Sequence, residues 1–243
     1  MPNDVTLTRV TAHLLNGLVH VPGETISLDG PLLYAAVLER IGEAMFGDPP
    51  SNDQLARETA EPDPAVPLAV HRAGGTWCYC VSAGDPVGHH GTSLTHWNKR
   101  IDDGLLVPAV QDGAVDMGRQ GKVQINSAQY KSYHMPVWTE HVEAIEWYAL
   151  TEDPQRLAYL LGAHVHHIGR DRGIGSGVVT SWEVETTDEP SNRWLRRPDG
   201  SLARPVPVSM LDSYDGPTMV APYRPPYWLV QHQSLCAVPS DYS

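Results

Sequence analysis

The chain has 243 residues, a formal net charge of −12, 41% hydrophobic and 19% charged residues, the size and balance of a folded domain with a real core. That charge excludes binding nucleic acid through the overall field of the molecule, and no apolar run approaches the ~20 residues of a bilayer-spanning helix. Three cysteines, Cys78, Cys80 and Cys236, are too sparse for a disulfide framework.

The opening MPNDVTLTRV has neither a basic leader nor an apolar h-region, so no signal peptide is expected. A cytoplasmic protein with reduced thiols is the corresponding expectation. Charge is unevenly spread: 11 of the 17 basic residues fall in the windows 99–135 and 169–204. A local basic groove on an acidic body is compatible with that distribution.

Residues 5–15, VTLTRVTAHLL, alternate as a strand, with Val5, Leu7 and Arg9 opposite Thr6, Thr8 and Val10. Asn16-Gly17 marks a bend. Asp29 stands where it caps a helix from about Pro31 to Phe46, whose apolar positions include Leu33, Val37, Ile41 and Met45. Residues 47–65, rich in proline, aspartate and glutamate, read as an exposed acidic loop. Val66–Arg72 and Thr76–Ser82 then form a hairpin about Ala73-Gly74-Gly75. Cys78 and Cys80 point the same way in its second strand, which favours packing over metal binding.

Residues 83–121 show no clear period and are expected to be a long functional or partner-facing insertion. Strand-like runs follow at Lys122–Asn126, Tyr133–Val137 and 142–150. Asp153 caps and Pro154 opens a helix carrying Leu157, Leu160, Leu161, Val165 and Ile168. A glycine-rich loop comes next, Gly169, Gly173, Gly175 and Gly177 with Arg170 and Arg172 inside it, and a strand over Val178–Val184 closes the stretch. Glycines at such a junction bring bare backbone N–H groups to an anion, and two guanidiniums add charge. The pattern therefore fits a phosphate backbone lying across the loop; a tight helix-to-strand turn with solvated arginines fits it as well. Residues 188–205 read as a basic hairpin or arm turning at Pro198-Asp199-Gly200. The proline-rich remainder excludes long helices and is expected to wrap the body in short extended pieces.

Element order gives an α+β fold containing βαββαβ, a ferredoxin-like arrangement shared with RNA-recognition domains. The expected organisation is a core domain over 1–187, with the insertion at about 83–121, and an arm and tail over 188–243.

On that order, the segments HLLNGLVHVPGETISLDGPLLYAAVLER (13–40), HWNKR (96–100), RQGKVQINSAQYKSY (119–133), HIGRDRGIGSGVVTSWEV (167–184) and RPPYW (224–228) resemble the RAMP superfamily of CRISPR proteins. Within it they are most similar to the Cas-five-like subunit of type IV effector complexes. Asp171, between the two arginines, departs from the family's glycine loop and weakens its positive field. The resemblance implies a noncatalytic RNA-binding scaffold that needs no cofactor. Such a subunit holds the 5′ handle of the CRISPR RNA, caps a filament of Cas-seven-like backbone subunits, touches the large subunit, and lies near target DNA in the assembled complex. No membrane partner is implied.

In this reading Arg170, Arg172, Gly173 and Gly175 grip phosphates, while Lys99, Arg100, Arg119, Lys122 and Lys131 track a backbone. Trp97, Tyr130 and Tyr133 stack on unpaired bases, at ~1–3 kcal/mol each. The alternatives for these residues are solvated charge and core packing.

Sharper chemistry has less support. His164 and His167, at i and i+3, form a possible metal pair on one helix face, but the carboxylate of an H-E-x-x-H site is missing. His134, near Tyr130, Lys131 and Tyr133, is the best candidate for a metal-independent endoribonuclease acting on precursor RNA; His89, His90 and His96 are others. A protein-interaction adaptor without RNA contact is a third reading, from the acidic body and proline-rich tail.

Overall fold

A computed structural model of the chain describes residues 5–19, 26–41, 51–99, 103–115, 132–170 and 175–240. The first half contains β1 (Thr6–Leu14), β2 (Leu18–Val19), α1 (Asp29–Ile41), α2 (Asn52–Glu58), β3 (Val70–Ala73), β4 (Thr76–Tyr79), β5 (Asp85–Val87), β6 (Gly91–Lys99) and α3 (Asp103–Gln111). The second contains β7 (Tyr133–His141), β8 (Ala144–Thr151), α4 (Pro154–His164), β9 (Val179–Thr186), β10 (Val206–Pro207), β11 (Thr218–Pro222) and β12 (Gln233–Ala237). It is a mixed α/β protein with antiparallel sheets and few helices. The chain divides into two compact units, Met1–Gly91 with Glu140–Ser243, and Thr92–Thr139.

The larger unit is built on a four-stranded sheet in the order β5-β8-β1-β9. Every neighbouring pair is antiparallel, with Val10 opposite both Trp147 and Val184, and Asp85 opposite Glu146. Alternation along β1 sends Thr8, Val10 and Ala12 to a fully buried face and leaves Arg9 exposed on the other. Onto the buried face pack Leu32, Ala35 and Ala36 of α1 and Leu157, Leu160 and Leu161 of α4, meeting Ile145, Trp147 and Ala149 of β8. Each buried leucine contributes ~1.5–3 kcal/mol. The start of α4 is as the sequence predicts: Asp153 accepts from the Arg156 amide at 2.8 Å and Pro154 fills the first turn.

β8 is buried on both faces because residues after β9 cover its back. A single-turn 3-10 helix, Ser191–Trp194, lies there, and Arg193 stacks over the Tyr148 ring at 4.1 Å. The proline-rich tail makes a second antiparallel sheet, β10-β12-β11. Its core joins Cys78, Cys80, Trp194, Met210, Tyr223 and Cys236.

A buried charge ties this tail to the first helix. Arg204 donates to the carbonyls of Tyr79 (2.8 Å), Val81 (2.9 Å) and Tyr223 (2.6 Å), with its Nη2 3.7 Å from Asp29 Oδ2. The other Asp29 oxygen accepts from Ser27 Oγ at 2.6 Å and from the Tyr227 hydroxyl at 2.5 Å. Burial alone pulls the guanidinium down; the Tyr227 and Asp29 oxygens outweigh it and hold Arg204 above the ordinary arginine value.

Several expectations change. Residues 47–65 include a helix, α2, whose cap Ser51 accepts from the Gln54 amide at 3.2 Å. β3 and β4 pair with each other, and the short β5, from the stretch read as an insertion, takes the main-sheet edge instead. β6 and α3 also lie within that stretch, and the smaller unit ends well past residue 121, at Thr139. Lys122–Asn126 falls outside the described residues. α1 begins at Asp29 itself rather than after it, and the Asp29 side chain is buried beside Arg204.

Candidate nucleic-acid interface

The glycine loop springs from a closed base. The amide of Ile168 donates to Gly177 O at 2.9 Å and that of Val179 to His166 O at 2.9 Å, zipping the end of α4 to the start of β9. The predicted bend at Asn16-Gly17 docks here: Gly177 N donates to Gly17 O at 3.1 Å and Asn16 Nδ2 to Gly175 O at 2.5 Å. Gly177 has φ +62°, and a Cβ built on it lies 1.9 Å from Ile168 O. Only glycine fits that position. Gly175, at φ +86°, has open space around its Cα, and Arg170 is exposed at the other end of the described loop. Arg172 and Gly173 lie outside the described residues.

In the smaller unit, β6 and β7 are hydrogen-bonded neighbours. Trp97 meets Tyr133 edge-to-face, centroids 5.4 Å apart at 81°, and by strand alternation Lys99 follows Trp97 on the same face. The opposite face holds His96 stacked on His134, centroids 4.2 Å apart at 7°, with His134 Nδ1 hydrogen-bonded to Asn98 Oδ1. Trp97 is 40% exposed, and Met135 and Trp138, which the sequence reading did not single out, are 46% and 51% exposed. Part of their signal was available: Tyr133 and Trp138 stand at opposite parities of the nine-residue β7, so both faces carry an aromatic ring. Arg100, Arg119, Lys122, Tyr130 and Lys131 lie outside the described residues. Of the predicted residues, the structure thus brings Trp97 and Tyr133 into contact, with Lys99 beside them, and places Arg170 and Gly175 on the loop.

Arginines after β9 are engaged within the fold. Arg193 bonds Glu189, Arg197 Nη2 lies 3.0 Å from Asp85, Arg196 donates to Gly200 O at 2.9 Å, and Arg204 is buried. The segment 188–205 is therefore a bridged turn, closed by Arg196 pairing with Leu202, and its cations serve the protein's own packing. The back of the main sheet shows Glu183 and Glu185, 56% and 55% exposed, paired with His13 and Arg9. Such a face repels phosphates and lacks the stacked aromatics of a sheet that binds bases.

The metal pair also changes. α4 ends at His164, with Val165 as its extended C-cap, and His167 bridges to Val178. The two imidazoles do not share a helix face, and no group of three or more His, Cys, Asp or Glu suited to a metal occurs among the described residues. His89 and His90 sit by Glu140 and Glu143 at 3.4 and 2.9 Å. All three cysteines are free and buried. Burial pushes the thiol of Cys80 up to about 12 and that of Cys236 to about 11, which leaves them inert. No described helix is long and apolar enough to cross a membrane.

The chain matches no curated protein. Among solved structures it is similar to a chain of the type III-B Cmr-beta complex bound to cognate target RNA, determined by cryo-EM. That match has 10% identity and a TM-score of 0.35, and covers 75% of this chain and 61% of the other. The family model described as CRISPR type IV associated protein Csf3 matches residues 7–239, and the chain belongs to that family.

Proposed function

We propose that this subunit of a type IV CRISPR complex is a noncatalytic RNA-binding scaffold that holds the 5′ handle of the CRISPR RNA and caps the Cas-seven-like backbone beside the large subunit. One observation carries the reading: an exposed Trp97 set edge-to-face against a half-buried Tyr133, with Lys99 next to them on one strand face, the combination of stacking surface and cation that single-stranded RNA requires. The glycine loop supports it, since its closed base sets Arg170 and Gly175 at the rim of a turn. Sheet order supports the ferredoxin-like assignment: α1 leads out of β1, α4 joins β8 to β9, and β5-β8-β1-β9 is the order that such a βαββαβ core takes. Its setting is the cytoplasm, where three buried thiols stay reduced.

The test is single-stranded guide RNA binding at fixed salt. Trp97→Ala and Tyr133→Ala each lower affinity by roughly 5- to 150-fold, the equivalent of ~1–3 kcal/mol of lost stacking. Unchanged affinity in both variants refutes the scaffold reading.

A second reading, a metal-independent endoribonuclease, is favoured by the stacked His96–His134 pair with Asn98 orienting one ring. Labelled repeat RNA incubated with the chain separates the two. Discrete products that vanish in His134→Ala establish the enzyme, and an intact repeat favours the scaffold over it.

A further inference from the structure

β11 is the outer strand of its sheet, and its backbone direction is fixed at both ends. Pro217 O accepts from Val238 N at 3.1 Å, and Tyr223 N donates to His232 O at 3.2 Å. Residues 217, 219, 221 and 223 therefore face β12, and the N–H and C=O groups of Thr218 and Val220 point to the open edge. Pro222 ends the run of donors.

Within the larger unit, this edge lacks the protection that the other edges carry. β9 bears Glu183 and Glu185, β5 is three residues long with Asp85 and Pro86, β10 has two residues, and β3 bears Arg72. β4 is uncharged, but its Trp77, Cys78 and Tyr79 are buried. Charge, proline and shortness are how proteins keep edges from pairing with other chains. β11 reads TMVAP, with no charge.

Its side chains are those of a surface awaiting a cover. Val220 is 65% exposed, directly opposite Leu235 at 54%, and Met219 on the other face is 40% exposed. Asp212 and Asp215, both exposed, stand on the chain leading into the strand. These carboxylates, and the −12 charge of the whole chain, disfavour a second copy and favour a cation.

We propose that the β11 edge accepts an extended strand of a partner protein by β-augmentation, and that this strand carries β-branched apolar residues at alternate positions and lysine or arginine at its ends. Main-chain hydrogen bonds to Thr218 and Val220 supply affinity, the Val220–Leu235 pair grips an apolar side chain, and Asp212 and Asp215 receive the basic ends.

The probe is a synthetic peptide, Lys-Lys-Val-Thr-Val-Thr-Val-Lys, titrated into the intact chain and followed by amide chemical shifts. Binding moves the Thr218 and Val220 signals. Val220→Pro removes an N–H that the protein's own sheet does not use, so the variant stays folded and binds roughly tenfold more weakly, about one lost hydrogen bond. Val220→Thr keeps the N–H and binds within a few-fold of the parent. A peptide with glutamates for lysines binds more weakly than either. No shift in β11 at millimolar peptide, or equal binding by Val220→Pro, overturns the site. Equal binding of the acidic peptide overturns the partner's charge. Self-association abolished by Val220→Pro makes a second copy the occupant and overturns the proposed partner. None of these readouts involves RNA, so the site stands or falls separately from the scaffold reading.

Discussion

Replacing Arg204 by methionine removes the cation from the buried cluster while keeping much of its volume. The side chain is 3% exposed and its neighbour Asp29 is fully buried. Three carbonyls, of Tyr79, Val81 and Tyr223, each lose the hydrogen bond from the guanidinium, and Tyr79 O keeps the Val81 amide. Among the described residues Asp29 keeps Ser27 and Tyr227 as hydrogen-bond donors and loses its guanidinium neighbour. Deleting one member of a buried ion pair costs roughly 3–5 kcal/mol, because the other charge is left uncompensated. Against a domain stability of ~5–15 kcal/mol, that loss is roughly a fifth of the total at the least and all of it at the most. Urea unfolding followed by fluorescence of the seven tryptophans measures it directly. Asp29→Leu in the Arg204→Met background takes away the stranded carboxylate and restores part of the stability, with a coupling of ~1–3 kcal/mol. A loss below about 1 kcal/mol in the single variant, or strict additivity in the double, refutes the claim that this pair ties the tail to α1.

Gly177→Ala forces a Cβ onto Ile168 O at a positive φ and destabilises by at least ~1–3 kcal/mol, whereas Gly175→Ala, with space around it, costs less; parallel thermal melts rank the two. His232 is fully buried, and burial first, then the nearby Arg224 charge, hold its imidazole below the ordinary histidine range. The unfolded chain thus takes up a proton as pH falls below about 6.5 that the folded chain resists. Stability contributed by neutral His232 is complete above that value and is lost progressively below it, down to the folded pKa. His232→Gln flattens this acid limb in urea midpoints compared at pH 7.5 and 5.5, and an unchanged limb rules the residue out. Arg170→Ala lowers the slope of log affinity for guide RNA against log salt by about one; an unaltered slope takes this residue off the phosphate path.

What the sequence made legible was local. Asp153-Pro154 reads as a helix start because the cap and its amide are three residues apart, and the structure shows that bond. The glycine loop was recognisable as special backbone, but its reason was hidden: the carbonyl that forbids a Cβ at Gly177 belongs to Ile168, across the turn. α2 was missed because the prolines and acids ahead of it outweigh one capping serine. Asp29 misled for the opposite reason. Its position beside Pro31 is that of a surface cap, and the partner that makes it a buried charge is Arg204, far along the chain.

The same non-locality decides how the basic residues of 169–204 are used. Composition placed the basic residues of 169–204 in one window and invited a single electropositive surface. Folding sets Glu189 against Arg193, Asp85 against Arg197 and Asp29 against Arg204, so half of that window's six arginines are paired with carboxylates inside the larger unit. An acidic chain that binds RNA cannot use a diffuse field. It must concentrate the contact on a few side chains, and an exposed Trp97 backed by Tyr133 serves this need because stacking on a base is indifferent to net charge. The salt dependence should accordingly be shallow for the whole protein, with a large share of the affinity surviving at high salt and disappearing with Trp97 and Tyr133 rather than with any one arginine.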